Sequence, residues 1–275
     1  MKKNIISIMA SLLLIIASGC EDLNNPGEIK IKNSLFFNLQ VNSPQQHVYI
    51  YRDTDISGRT EYNAADPLIN FFEKNSEVSL KDEISNNYIY FKLVTDTVKD
   101  SYLLNPYKPY YTNIAAFEAK PLADYYLSVN ADGNIITGKV TTPGDFTITS
   151  PRKGDIIRGH LNLEKLVFRW SGSKNAKGYI VKVYVKDKYY DMPIENFYMS
   201  DWAGYKTTDT SLAFQSNMYY SQAVASGECV IRIIAYDDNY YQHYFSKKET
   251  VGLSGAYGCF SSSVVKEVRF NYVSD

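Results

Sequence analysis

Alternation of period two runs through most of this chain and leaves little room for anything but strands. In GYIVKVYV, residues 178–185, Tyr179, Val181, Val183 and Val185 fall on one face. In ECVIRIIAYD, residues 228–237, Cys229, Ile231, Ile233 and Ala235 do the same. Successive side chains of a strand point to opposite faces, so this pattern buries one face and wets the other. EKLVFRW repeats it with Leu166, Phe168 and Trp170. Long helical faces, with apolar residues three and four apart, are scarce. The chain is expected to be all-β.

SLFFNLQV (34–41) and HVYIYRD (47–53) read as the first strands, with NSPQQ as the turn between them. SEVSLKD (76–82) and NYIYFKLV (87–94) come next. The clearest hairpin is DYYLSVNADGNIITGKVTTP, in which Tyr125, Leu127 and Val129 point inward, Asp132-Gly133 turns and Ile136 begins the return. Pro143-Gly144 and Pro151 bracket DFTITS, and the strand pattern restarts beyond it. Two β-sandwich domains are therefore expected, 33–145 and 146–275. Residues 186–227 must hold further strands or a short helix, for instance around PIENFYMSDW. Gly255 and Gly258 are expected to take positive φ, or to bend close to a neighbour, before Phe260 packs.

The N-terminus carries a different signal. Lys2 and Lys3 precede an apolar run from Ile5 to Ala17, which is shorter than the roughly 20 residues that span a bilayer and fits a secretory signal. Ala17-Ser18-Gly19-Cys20 resembles the bacterial lipobox, whose cysteine is diacylglycerated before cleavage. The resemblance implies that residues 1–19 are a cleaved lipoprotein signal peptide. Cys20 is then the lipidated first residue, and 20–32 a polar tether. Buried acyl chains contribute about 0.8 kcal/mol per methylene, so two or three hold stably where one does not. Glu21-Asp22 has two readings, a solvated tether or the surface-export signal that acidic pairs resemble in lipoproteins of Bacteroidota.

Losing Lys2 and Lys3 takes the basic count from 29 to 27 against 30 acidic residues, a net −3. That balance excludes nucleic acid as a partner, since no basic excess or stripe is present. Export also invites a disulfide between Cys229 and Cys259. If the last strand runs antiparallel to the one that Cys229 opens, residue 229 faces the neighbourhood of Asn271. Cys259 then sits several residues away at about 3.3 Å each. Unless the intervening segment folds back, this favours two buried free thiols over a bridge.

Catalytic constellations are not legible. His47, His160 and His243 are scattered, Ser254 in GLSGA lacks the spacing of a nucleophile elbow, and no phosphate-cradling glycine motif occurs. No cofactor and no enzymatic activity are expected. Asp53, Asp55, Ser57 and Gly58 match the first positions of a calcium loop, but Ala64 stands where a bidentate Glu belongs. A polar hairpin tip is the favoured reading, with Asp53, Asp55 and Ser57 as the residual metal candidates. Asp237-Asp238-Asn239 could ligate a cation or a sugar hydroxyl, but reads better as an Asx-type turn ending a strand.

What remains is aromatic. The chain holds 25 tyrosines, only 2 tryptophans and 3 histidines, and many tyrosines lie near expected strand ends or in loops. KYYD, SDWAGY, NMYYS and NYYQHYF supply Tyr189 and Tyr190 and, as candidate ligand-binding residues, Trp202, Tyr205, Tyr219, Tyr220, Tyr240, Tyr241 and Tyr244. Such rings offer rigid area with a polar handle, for protein contacts or for stacking on sugars. The competing reading has them covering sandwich edges and filling small satellite clusters.

Two resemblances bear on the whole chain. The strand with Trp170, the Gly-Tyr-x-Val strand and the strand ending in Ala235 resemble a fibronectin type III domain, with Cys229 where that fold usually carries its corner tyrosine. Asp238-Asn239-Tyr240-Tyr241, succeeded by the GxxGxYGxF pattern from Gly252 to Phe260, resembles uncharacterised two-domain lipoproteins of Bacteroidota, in which a transthyretin-like module precedes a fibronectin-like one. That resemblance implies a non-enzymatic, lipid-anchored outer-membrane or cell-surface protein, binding or accessory in role and associated with a TonB-dependent transport system. The alternatives are a surface glycan-binding protein using the loop aromatics, or a small carbohydrate-active enzyme.

Overall fold

The computed structural model describes residues 32–53, 73–95, 110–159, 167–185, 204–213 and 227–274. Cys20 and the whole N-terminal segment, Asp55, Ser57, Tyr189, Tyr190, Trp202, Tyr219 and Tyr220 lie outside them.

The all-β expectation holds. In the first half the strands are β1 (Lys32–Val41), β2 (His47–Asp53), β3 (Ser76–Asp82), β4 (Tyr88–Val94), β5 (Tyr110–Asn113), β6 (Asp124–Ala131) and β7 (Asn134–Thr141). Then come β8 (Ile148–Ser150), β9 (Ile156–Gly159), β10 (Val167–Trp170), β11 (Gly178–Val185), β12 (Tyr205–Thr207) and β13 (Ser211–Ala213). After β14 (Gly227–Tyr236) a single helical turn α1 (Asp238–Tyr240) leads into a π turn at Tyr241–Phe245. The chain closes with β15 (Thr250–Val251), β16 (Leu253–Ser254) and β17 (Ala256–Ser274). The β6–β7 hairpin turns through Asp132 and Gly133 with φ of 52° and 85°, as a two-residue turn that matches strand twist requires.

β17 organises the molecule. It is 19 residues long, roughly 60 Å at the usual strand rise. Its first half pairs in parallel with β1, Asn33 opposite Ala256 through Val41 opposite Val264. Its second half pairs antiparallel with β14, Ser263 opposite Tyr236 through Tyr272 opposite Gly227, and its tip pairs with β9. Gly258 permits the close pairing with β1. Its φ is 105°, and a Cβ there would lie 2.1 Å from the backbone oxygen of Leu35. Gly255, at φ 87°, likewise passes against Ile135 O, so both glycines behave as their sequence context implies.

Two cores result. In the first, Leu35, Phe37 and Leu39 of β1 and Val48 and Ile50 of β2 face Leu80, Tyr125, Leu127, Val129 and Ile136 of the β3–β6–β7 layer. β4 turns that corner by pairing with β3 through Tyr88–Tyr90 and with β5 through Phe91–Val94. In the second, Tyr179, Val181 and Val183 of β11 and Cys229, Ile231, Ile233 and Ala235 of β14 face Ile148, Phe168 and Trp170 of a separate three-stranded sheet, β13–β10–β8. The cores do not divide the chain at residue 145. Phe260 belongs to the first and Val41 to the second, because β1 and β17 run side by side from one core into the other.

Several tyrosines fill core volume while their hydroxyls tie down loops. Tyr111 donates to Glu73 O at 2.9 Å, Tyr125 accepts from Lys120 N at 2.8 Å, and Tyr179 accepts from Ser173 N at 2.8 Å. Cys229 and Cys259 are both buried, with no disulfide joining them. The register sets Cys229 opposite Phe270, one residue from the expected Asn271. Burial pushes the Cys259 thiol up to about 12, so it stays protonated.

Candidate functional site

β14 leaves the sheet at Tyr236, and residues 237–245 are built on the edge of β17 that it vacates. Farther back along that edge, β15 pairs with Gly258 and Cys259. Between them Asp237 and Asn239 stand in for a missing strand. Asp237 N donates to Ser262 O at 3.1 Å, Ser262 N donates to the Asp237 carboxylate at 2.8 Å, and the Asn239 amide donates to Phe260 O at 2.9 Å. The same carboxylate caps α1, accepting from Tyr240 N at 2.8 Å, and accepts from Ser262 Oγ at 2.8 Å. The turn reading of Asp237-Asp238-Asn239 is therefore the one the geometry supports. Burial pushes the Asp237 carboxyl up to about 7, against the donated hydrogen bonds that pull it down.

This clamp presents a cluster of rings on the outer face of the β11–β14 sheet. Tyr240 is buried, stacked at 5.2 Å on Tyr236 and at 4.4 Å from Tyr244. Phe245 meets Tyr236 edge-on at 5.3 Å and Tyr241 at 5.9 Å. Ile180 and Ile234 close the cluster from below. His243 is held by Nδ1–H donating to Lys248 O at 2.8 Å, and its ring lies 5.6 Å from Phe36 on β1.

An open groove of about 600 Å³ runs along the cluster. Tyr236, Tyr241, Tyr244 and Phe245 form its floor, Lys206, Thr207 and Thr208 one wall, and Lys247 lines it beyond the π turn. Lys206 Nζ sits 4.0 Å above the Phe245 ring and Lys177 Nζ 5.3 Å above Tyr241. Lys177 also meets Asp238 at 3.5 Å. Burial, and then Tyr241, raise the Tyr236 phenol above its ordinary range.

Four of the seven aromatic candidates can be located. Tyr241 and Tyr244 line the groove. Tyr240 lies beneath them as packing, its backbone N–H held by the Asp237 cap. Tyr205 is on β12 and packs partly against the second core. Sequence reasoning missed Tyr236, Phe245, Lys206 and Lys247. The available signal was Asp237 three residues ahead of Tyr240, a cap spacing that predicts a helical turn inside NYYQHYF. Asp53 ends β2, with its metal-candidate companions outside the described residues. Among the described residues no three His, Cys, Asp or Glu side chains gather as a metal-ligand set, and no helix is long and apolar enough to cross a membrane. No protein-family model and no curated protein matches the sequence.

Proposed function

We propose that this is a non-enzymatic, lipid-anchored binding protein of the outer membrane or cell surface, acting as an accessory component beside a TonB-dependent transport system. In this reading residues 1–19 are removed, Cys20 carries the acyl chains, and the second core is a divergent fibronectin type III-like sandwich. The observation that carries the binding role is the groove of Tyr241, Tyr244 and Phe245 flanked by Lys206 and Lys247. Its floor is fixed by the Asp237 and Asn239 hydrogen bonds before any ligand arrives. Rigid aromatic area with ammonium and hydroxyl groups at its margin suits recognition, since little entropy is lost on contact.

The anchor is tested by fractionating cells that express Cys20→Ser. The variant is expected in the soluble fraction with its fold intact, and continued membrane retention after washing would refute the tether. The binding role is tested with a photo-crosslinking residue at Thr208. Crosslinking to a component of the cell envelope is expected, and it should be lost in Tyr241→Ala. The same crosslinking with and without Tyr241 would remove the groove from the reading.

A further inference from the structure

We infer that the groove takes an acidic saccharide, a sugar chain bearing carboxylate or sulfate groups; this rests on the binding role proposed for the same groove. The groove's described lining contains two lysines and no carboxylate. The nearest acidic side chain in the turn, Asp238, is already engaged by Lys177 and by the Gln242 amide. The Lys206 ammonium itself lies over the Phe245 ring, which places its charge at the groove with no carboxylate in the described lining. Lys247, at φ 60° just beyond the π turn, adds a second lysine to the same lining. A ligand entering here meets positive charge uncompensated within the described lining.

The rest of the lining selects what carries the anion. Tyr241 is 37% exposed and Tyr244 half-buried, so each contributes part of its ring area to the groove. Thr207 and Thr208 add hydroxyls that both donate and accept. Pyranose rings match this surface, with apolar faces that stack and hydroxyl rims that hydrogen-bond.

Isothermal titration of the full soluble chain (Cys20→Ser) with oligogalacturonate, a heparin-derived hexasaccharide, neutral cellohexaose and a poly-glutamate peptide tests this. An acidic saccharide is expected to bind at least about tenfold more tightly than cellohexaose at low salt, and the preference should shrink at high salt. Whether oligogalacturonate or the heparin fragment binds better tells carboxylate from sulfate. Lys206→Gln with Lys247→Gln should abolish the preference while far-ultraviolet circular dichroism stays unchanged. Tyr241→Ala should weaken every saccharide that binds. Equal affinity for cellohexaose, no effect of the lysine pair, or equal binding of poly-glutamate overturns the acidic-saccharide assignment. In those cases a loss in Tyr241→Ala keeps the groove as the binding site. If no probe responds to Tyr241→Ala, both the ligand class and the site fall.

Discussion

Replacing Phe260 with alanine removes a ring that is fully buried in the first core, stacked on Phe37 at 5.1 Å with 14° between planes. A buried aromatic covers about 150–250 Å², which at about 25 cal/mol per Å² corresponds to roughly 4–6 kcal/mol. Measured Phe→Ala losses in cores run about 3–5 kcal/mol, and the lower range applies because surrounding residues relax. The consequence extends beyond the first core. Phe260 lies on β17, whose later residues pair with β14 from Ser263 to Tyr272, so the second core cannot keep its central ladder once the first half of β17 is released. Trp170, buried in the second core against Tyr179 at 5.4 Å, is the reporter. In a Trp202→Phe background, its fluorescence is followed through urea unfolding. With a slope of about 3 kcal/mol per molar, the Trp170 midpoint should fall by roughly 1 to 1.7 M. A Trp170 midpoint unmoved by Phe260→Ala, while circular dichroism shows an earlier partial loss, would refute the coupling of the cores.

Gly258→Ala should be among the most damaging single-methyl changes, costing about 3 kcal/mol or more. The Cβ would meet Leu35 backbone at 2.1 Å, and φ of 105° is strained for any other residue. A urea midpoint within experimental error of the parent would contradict that. For Asp237, the folded value near 7 stands above an unfolded value near 3.9, so the folded protein holds a proton that the unfolded chain has released. Its contribution is complete below about pH 4, declines as pH rises, and is lost above pH 7, an effect on the order of a few kcal/mol. Glu73, which burial pushes up but the Arg52 guanidinium holds low, and Asp124, held low beside Lys139, have delivered their contributions by about pH 5. Between pH 5 and 8 the stability of the parent should therefore fall relative to Asp237→Asn; a parallel pH dependence of the two proteins would refute it.

Much of the strand framework is legible in local pattern. Ser76–Asp82 and Gly178–Val185 coincide with their alternating stretches, and Asp132-Gly133 turns where its residues demand positive φ. The route of β17 is not legible, for a physical reason. Ser261, Ser262 and Ser263 interrupt the apolar alternation just where the strand passes between cores, so the sequence there resembles a loop. Their burial is stabilised by partners distant in sequence: Asn38 donates to Ser263 Oγ, and Ser262 Oγ donates to Asp237. Parallel pairing with β1, more than two hundred residues away, leaves no short-range trace. The groove is partly legible. NYYQHYF announces its rings, but Lys206 reaches them only because β12 pairs with β11 next to β14.

Amide hydrogen exchange along residues 256–274 tests the shared strand most directly. The hydrogen-bonded amides of the β1-paired half and of the β14-paired half are predicted to open with one common free energy, and Phe260→Ala should lower both by the same amount. Two separate opening free energies, with only the β1-paired half responding to the substitution, would contradict a single strand joining the two cores.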